Sequence, residues 1–448
     1  MPLILGTNSI KDTGFDVANS CRFDRGSTDF LNKTLGTPTN VDKATFSTWI
    51  KFTDTSSGND ATLFGVLADG NNTTYIQLLG SKVIRLNMRE STSYIGVLTT
   101  NRVFRDPSAW YHIVVAFDTT QGTDSNRIKL YINGVQETSF STATYPSQNT
   151  DLRFNTSGQV FNIGRRGDSI NLLDGYLAET VFIDGQQLAP DQFGEFDEDS
   201  GIWKPKDVSG LTFGNNGFYL DYKDSGNLGN DVNGGTDLTV NNLTAIDQST
   251  DTCTNNAITF NPLDVTADDE PTLSEGNLKA VADGAFHQQR STFYLTTGKW
   301  FWEFKPTTVG DAMQGGVVGS NYAGGSGLRR NYSYNGQKYT DGSSSSYGAT
   351  YAANNIISVA LDLDNGTLIF YKNGASQGTA YTDMLSAIGQ DGWTPDVIIY
   401  NSTVEMNFGS PPYSESGGNS DGNGYGNFSM SVPSGYFALN TKNLAEYG

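Results

Sequence analysis

Apolar and polar residues alternate at period two over many short windows of the chain, and the clearest windows define its elements. In "ATFSTWIKF" (44–52), Phe46, Thr48, Ile50 and Phe52 share one face and Thr45, Ser47, Trp49 and Lys51 the other, which is the signature of a β-strand. "WYHIVVAFD" (110–118) is an unbroken run of aromatic and β-branched residues and predicts a central sandwich strand. "RIKLYINGVQ" (127–136) carries Asn133-Gly134, the favoured pair for a type I′ hairpin turn. "QVFNIGRRG" (159–167) and "GYLAETVFIDGQQL" (175–188) close this first group. A second group begins near Gly276. "GKWFWEFKP" (298–306) sets Trp300 and Trp302 against Phe301, Glu303 and Lys305, and "QGGVVGS" (314–320) is short and glycine-tight. "IISVALDLDNGTLIFYKNGASQGTAY" (356–381) reads as three strands with two hairpin signals, Asn365-Gly366 and Asn373-Gly374, and "TVEMNFGSPPY" (403–413) ends the group.

The pattern predicts an all-β chain: two antiparallel β-sandwich, jelly-roll-like domains in tandem with a loop-rich connector. The expected boundaries are 1–190 for the first sandwich, 191–275 for an acidic, Gly/Asn-rich connector with short strands, 276–413 for the second sandwich, and 414–448 for a Gly/Ser-rich C-terminal segment. Within the connector, "DYKDSGNLGNDVNGGTD" (221–237) reads as turns between short strands such as "GFYLDY" (217–222), packed on one or both neighbours. The C-terminal segment wraps either on the second domain or on a neighbouring subunit, and both readings stay open.

Composition agrees with this picture. The 448 residues are 36% hydrophobic and 12% aromatic, enough for two cores, and 51 glycines supply the turns. Charge changes the functional picture: 48 acids against 28 bases leave a net −20, spread over both halves. A nucleic-acid-binding role, which needs a basic face, is disfavoured, as is docking on an anionic membrane. No stretch approaches the roughly 20 apolar residues of a membrane span. "MPLILGTNSI" has no basic n-region and too short an apolar run for a signal peptide, so synthesis in a cytoplasm is expected, with any surface role reached by assembly into a particle or by lysis. Cys21 and Cys253 show neither metal spacing nor a disulfide framework. Two free buried thiols are the favoured expectation, and a single disulfide is the alternative.

An ordered set of residues in the first group resembles laminin-G-like, concanavalin-A-like modules: Phe46 and Trp49; Trp110, Tyr111, His112, Val114 and Phe117; Leu130, Tyr131, Asn133 and Gly134; Ile163-Gly164; and Gly175 to Glu179. The second group resembles a SPRY domain through Trp302-Glu303, the run from Leu361 to Gly374 with Gly378 and Ala380, and Asn407-Phe408-Gly409 with Pro412. That resemblance implies a second two-sheet sandwich that binds ligands through loops at one edge. The opening "MPLILGTNSIKDTGFDVANSCRFD", the passage "GYLAETVFIDGQQLAPDQFGEFDEDSGIWKPK" and "DTCTNNAITFNPLD" resemble proteins of tailed, marine bacteriophages. This implies a virion surface component: a fibre, a tail appendage or a capsid decoration. No long coiled-coil or adaptor region precedes the first sandwich, which makes a compact appendage at least as plausible as a long fibre. Other virion proteins and a host-surface glycan or envelope protein are the expected partners. A homo-oligomer is compatible with the class, although no heptad supports one.

Three pieces of candidate chemistry follow. Glu195, Asp197 and Asp199 stand at spacing two in "QFGEFDEDSG" (192–201). On a strand they would share a face, as the carboxylates of a glycoside hydrolase do. Pro190-Asp191 at a helix-start position and the flanking acids favour a solvated acidic turn instead. Neither His112 nor His287 has a partner set for catalysis, and no phosphate loop, dinucleotide fingerprint or nucleophile elbow occurs, so a non-enzymatic chain is expected. In the stretch 320–351, Tyr322, Arg329, Arg330, Tyr332, Tyr334, Tyr339 and Tyr347 stand among Gly, Ser and Asn, with Tyr351 at its end. That is the composition of a binding loop, of a subunit contact, or of strands whose tyrosines alternate into a core. The laminin-G-like resemblance implies a calcium ion at one rim, for which Asp69 and Asp168 offer oxygens; no other cofactor is indicated.

The expectation that results is a virion protein whose loops recognise host glycan or envelope protein. A purely structural decoration protein is the alternative, and a polysaccharide depolymerase using Glu195 the minor one.

Overall fold

The computed structural model describes residues 14–69, 71–167, 170–264, 270–319, 328–387 and 392–448. The chain is nearly all β and divides into two compact units, one over Thr13–Thr254 and one whose described part is Asn255–Gly448.

The first unit is a sandwich of two antiparallel sheets. One sheet runs in the order Val135–Gln136, Ile128–Ile132, Trp110–Asp118, Lys43–Phe52, Gly175–Asp184, Ser20–Phe23, Gln248–Ser249. The other runs Phe140–Thr144, Ser93–Val103, Val83–Glu90, Asn72–Leu78, Ala61–Asp69, Val160–Ile163, Phe30–Thr34, Thr239–Asn241. Alternation along Lys43–Phe52 sends Phe46, Ile50 and Phe52 into the core between the sheets. There Phe161 lies within 5.0 Å of Phe64, 4.9 Å of Phe182 and 5.6 Å of Phe218, centroid to centroid. Removing one such ring costs about 3–5 kcal/mol.

The opposite face of the same sheet is not wet. Trp110, Lys51, Tyr176 and Arg22 are cross-strand neighbours in one row, and residues 246–253 lie over them. Lys51 is completely buried and its ammonium meets Asp251 at 2.8 Å. Asp251 also accepts the Trp110 indole N–H at 3.0 Å. Arg22, equally buried, donates to the Ile246 carbonyl at 3.0 Å and reaches Asp247 at 3.4 Å. Beside this row, Phe193, Val208, Phe213 and Tyr219 pack on Val114, Val181 and Ile183. The segment read as a connector therefore contributes Phe218–Leu220, Thr239–Asn241 and Gln248–Ser249 to the two sheets and covers one outer face.

The second unit repeats the plan. One sheet runs Thr272–Ser274, Lys279–Ala282, Ser402–Asn407, Lys299–Thr308, Ile357–Asp362, Thr367–Lys372, Ala375–Tyr381. The other runs His287–Arg290, Trp393–Tyr400, Ala312–Gly319, Arg329–Ser333, Gln337–Thr340, Ser343–Ser346. Trp300, Trp302 and Phe304 point into the core. Phe301 and Glu303 point out and are covered by the C-terminal segment, which folds on its own unit. Phe428 meets Phe301 edge-on at 5.0 Å. Phe437–Ala438 pairs parallel to Lys299–Thr308. The one α-helix among the described residues, Thr441–Tyr447, is capped by Asn440, whose side chain accepts the Asn443 N–H.

Candidate functional site

The tyrosine-rich stretch is built on strands, and period two decides where its side chains go. In Arg329–Ser333, Arg330 and Tyr332 face the core. Tyr332 is fully buried, donates its hydroxyl to the Ala349 carbonyl, and packs at 5.1 Å from Tyr351 and 5.2 Å from Tyr347. Tyr347 is half-buried and donates to the Gly378 carbonyl at 2.5 Å. Tyr334 is half-buried against the same core, its hydroxyl 3.4 Å from the Asp311 carbonyl. Arg330 is buried between Asp341 at 2.9 Å and Asp383 at 2.8 Å. Of the sequence-predicted ligand set, strand alternation turns Tyr332 and Arg330 inward, and Tyr347 is tied down by its hydroxyl bond to the Gly378 carbonyl. Arg329 and Tyr339 are partly exposed and lie on adjacent strands. Tyr322 lies outside the described residues. So does Asp168, and of Asp69 only the strand position is described. Among the described residues no group of three or more His, Cys, Asp or Glu is placed to hold a metal ion.

The acid ladder does not share one face either. Only Glu195 is in the strand Gly194–Phe196, which pairs with Trp203–Pro205. The chain then turns, because the Asp197 carboxylate accepts the Ser200 backbone N–H at 2.9 Å and its hydroxyl at 2.8 Å. These bonds, with Lys204 at 3.2 Å, hold the Asp197 carboxyl down to about 2. Glu195 is half-exposed, 3.7 Å from the same lysine, and Asp199 is exposed. A carboxylate held down to about 2, as that of Asp197 is, is a poor proton donor at neutral pH.

His112 is structural, and its chemistry is legible. It sits on the roofed face between Trp49, stacked at 4.8 Å, and Trp203, stacked at 5.9 Å. Its Nδ1 accepts the Trp203 indole N–H at 3.0 Å, which leaves Nε2 to donate to the Ser47 hydroxyl at 2.8 Å. Burial pushes its pKa down to about 3, so the ring stays neutral.

Sequence reasoning missed the most perturbed carboxylate. Glu179 occupies a bulge between Ala178 and Val181 with φ +48°, a conformation uncommon outside glycine. It is buried, and Tyr219 donates a hydroxyl to it at 2.5 Å. Burial pushes its pKa up to about 7 against that bond. The only signal was a charged residue inside the apolar run "GYLAETVFI". Cys21 and Cys253 are both free thiols, the first buried and the second half-buried, with pKa values pushed well up by burial.

Beside the Asp197 turn lies a notch of about 400 Å³, lined by Pro190, Asp191, Glu195, Phe196, Trp203 and Lys206, with Gly134 at its base. Trp203 is wedged: a Cβ at Gly134 would stand 2.4 Å from its ring and one at Gly194 2.6 Å. Phe196 meets it edge-on at 4.8 Å and is 50% exposed.

Two separate regions of the chain match known domain families. Residues 26–190 match the Laminin_G_3 model of the concanavalin A-like lectin/glucanases superfamily, and residues 299–411 match the SPRY domain model. Among solved structures, the chain is similar to the SPRY domain of human HERC1 (18% identity, 28% of this chain and 83% of that one, TM-score 0.25). It is also similar to the native heptameric SAP-like pentraxin from Limulus polyphemus (18% identity, 40% and 81%, TM-score 0.30) and to the TRIM65 PSpry domain (16% identity, 34% and 89%, TM-score 0.27). Domains of these two kinds mediate binding to proteins or glycans and are typically non-catalytic. Among the described residues no helix is long and apolar enough to cross a membrane.

Proposed function

We propose that the chain is a recognition protein of a tailed-bacteriophage particle, displayed as a fibre, tail appendage or capsid decoration, which binds host-surface glycan or envelope protein. The observation that carries the recognition reading is the division of labour among polar side chains. Of the three acids at spacing two, Asp197 is held ionised by its turn and Asp199 is exposed, and Glu303 is hydrogen-bonded into the framework, while exposed aromatic surface remains at a formed notch. The particle assignment rests on the resemblance of the opening, 175–206 and 251–264 segments to phage proteins. Affinity per site would be weak, with avidity supplied by many copies.

A second reading, a purely structural decoration, is favoured by one feature. Phe140–Thr144 and Ser343–Ser346 are uncharged edge strands with mostly exposed side chains, open to pairing with a neighbour. The test is binding of the purified full chain to host cells and to a glycan array, with and without calcium. Cell or glycan binding supports recognition. No binding under any condition, with assembly onto particles lacking the protein, supports decoration.

A further inference from the structure

We propose that the notch beside the Gly194–Phe196/Trp203–Pro205 hairpin is a subsite for one neutral pyranose ring, with an apolar face of the sugar on Phe196 and its hydroxyls on Asp191 and Lys206. The proposal deepens the recognition reading and rests on it.

Rigidity is the first argument. Trp203 is held from three sides, by the backbone at Gly134, by the backbone at Gly194, and by its hydrogen bond to His112. Its ring cannot relax into the notch, and Phe196 leans on it at 67°. The held Trp203 ring and Phe196 set at a steep angle to it form a corner that a flat, partly apolar ring can enter without rearranging the indole, which spares part of the entropy that usually weakens small-ligand binding. Phe196 itself is half-exposed and belongs to none of the buried cores, so folding alone does not explain an aromatic ring there.

Charge selects the ligand class. Asp191 is an exposed acceptor at the notch, and Lys206, whose ammonium lies 3.3 Å from the Asp191 carbonyl, is a donor. An anionic ligand would meet the Asp191 carboxylate and the field of Glu195, Asp197, Glu198 and Asp199 on the adjoining hairpin. A wholly apolar ligand would strip water from the rim and return no hydrogen bonds. A quaternary ammonium would suit the carboxylates but would face the Lys206 ammonium. A neutral sugar satisfies donors and acceptors together and offers C–H groups to the rings. The volume of about 400 Å³ is at the small end of ligand sites, roughly 300–1,000 Å³. Most of the lining lies beyond residue 190, where the concanavalin A-like match ends, so the hairpin that follows the matched region supplies most of the notch, over Gly134 of the matched region itself.

The test is saturation-transfer NMR on the full chain with methyl glucopyranoside, methyl galactopyranoside and methyl mannopyranoside, with choline as the cationic arm and host-cell binding measured in parallel. The expected result is transfer to ring C–H protons of at least one glycoside and none to choline. Phe196→Ala should weaken that binding about tenfold, the worth of one aromatic contact, while Phe196→Tyr keeps it. Asp191→Asn, at an exposed position of the lining, should weaken it several-fold. Choline bound in place of the sugars, no glycoside bound, or binding unchanged in both Phe196→Ala and Asp191→Asn would overturn the proposal. If the wild type binds host cells and both variants bind equally well, the notch is wrong and the recognition reading survives. If the wild type binds neither cells nor any array glycan, the recognition reading itself fails.

Discussion

In the first unit, residues 188–254 close over the outer face of the sheet containing Lys43–Phe52; in the second, residues 414–440 close over the outer face of the sheet containing Lys299–Thr308. The two roofs are held by opposite chemistry. The first sheet presents buried cations, Lys51 and Arg22, and the roof brings carboxylates to them, Asp251 and Asp247. The second sheet presents a buried carboxylate, Glu303, and the roof brings backbone N–H groups, Ser429 at 2.9 Å and Met430 at 3.3 Å, beside the Asn407 amide at 3.0 Å and the Ser358 hydroxyl at 3.1 Å. The first roof is fastened by full charges meeting full charges. A carboxylate ringed by four neutral donors shares its charge among many. Damage to the first roof should therefore be larger and more local in origin.

The sharpest way to break the comparison is Asp251→Ala. It leaves the Lys51 ammonium buried with its carboxylate gone and frees the Trp110 indole N–H, a loss of about 3–5 kcal/mol. Urea unfolding of the first unit measures it. The double variant Lys51→Met/Asp251→Leu should recover most of that loss, since an apolar pair of similar volume carries no desolvation cost. A single-variant loss under about 1 kcal/mol would mean that the roof is held by its apolar contacts alone.

Next in size is a pH effect that both units share in different windows. Glu179 in the first unit is pushed up to about 7 and Asp396 in the second to about 6, each by burial. In these windows the folded state holds a proton that the unfolded chain has released. Stability therefore falls as pH rises, from about 4.5 to 7 for Glu179 and from about 4 to 6 for Asp396. The Glu179 contribution is about 3 kcal/mol at full extent. Thermal unfolding at pH 5 and pH 8 should show the first unit losing more than the second, and Glu179→Gln should flatten its dependence. A first unit equally stable at both pH values would show that Glu179 ionises freely.

Glu303→Gln tests the second roof. The amide keeps one acceptor oxygen but turns an NH2 group toward donors, so one or two bonds are lost, about 1–3 kcal/mol. Hydrogen exchange should speed up at Ser429 and Met430 before the sheet beneath responds. Uniform acceleration across the unit would make Glu303 a core group and not a fastener for the roof.

How much of this was readable beforehand depends on the range of the interaction. The strands Lys43–Phe52, Trp110–Asp118 and Lys299–Thr308 follow from local alternation, and the inward set Trp300, Trp302 and Phe304 was visible in it. That Lys51 would be dry was not, because its partner Asp251 lies 200 residues away and Thr45, Ser47 and Lys51 together read as a half-wet face. The tyrosines of 332–351 were ambiguous because paratope-like composition and a tyrosine-lined sandwich edge look alike until the register is known. The acid ladder failed as a ladder because one side chain, Asp197, captures Ser200 and ends the strand. The notch was invisible, since its base, Gly134, and its walls, Phe196 and Trp203, come from separate hairpins.

The smallest effect concerns a device present in both units. Asn133-Gly134 has φ values of +48° and +78°, and Asn373-Gly374 has +47° and +80°, as a type I′ turn requires. In each, the Asn side chain accepts a backbone N–H from the neighbouring strand, from His112 at 2.7 Å in one and from Ile356 at 2.8 Å in the other. Asn365-Gly366 carries the same two letters and folds differently. Asp362 accepts the N–H groups of Asp364 and Asn365, and the loop widens to four residues between the paired Asp362 and Thr367. Asn133→Ala and Asn373→Ala should each cost about 1–2 kcal/mol, through the lost hydrogen bond and the positive φ, and Asn→Asp at either site should be nearly neutral. Asn365→Ala should cost less, because Asp362 makes that turn. Equal losses at all three sites, by thermal unfolding, would show that the dipeptide itself and not its cross-strand bond sets the hairpin.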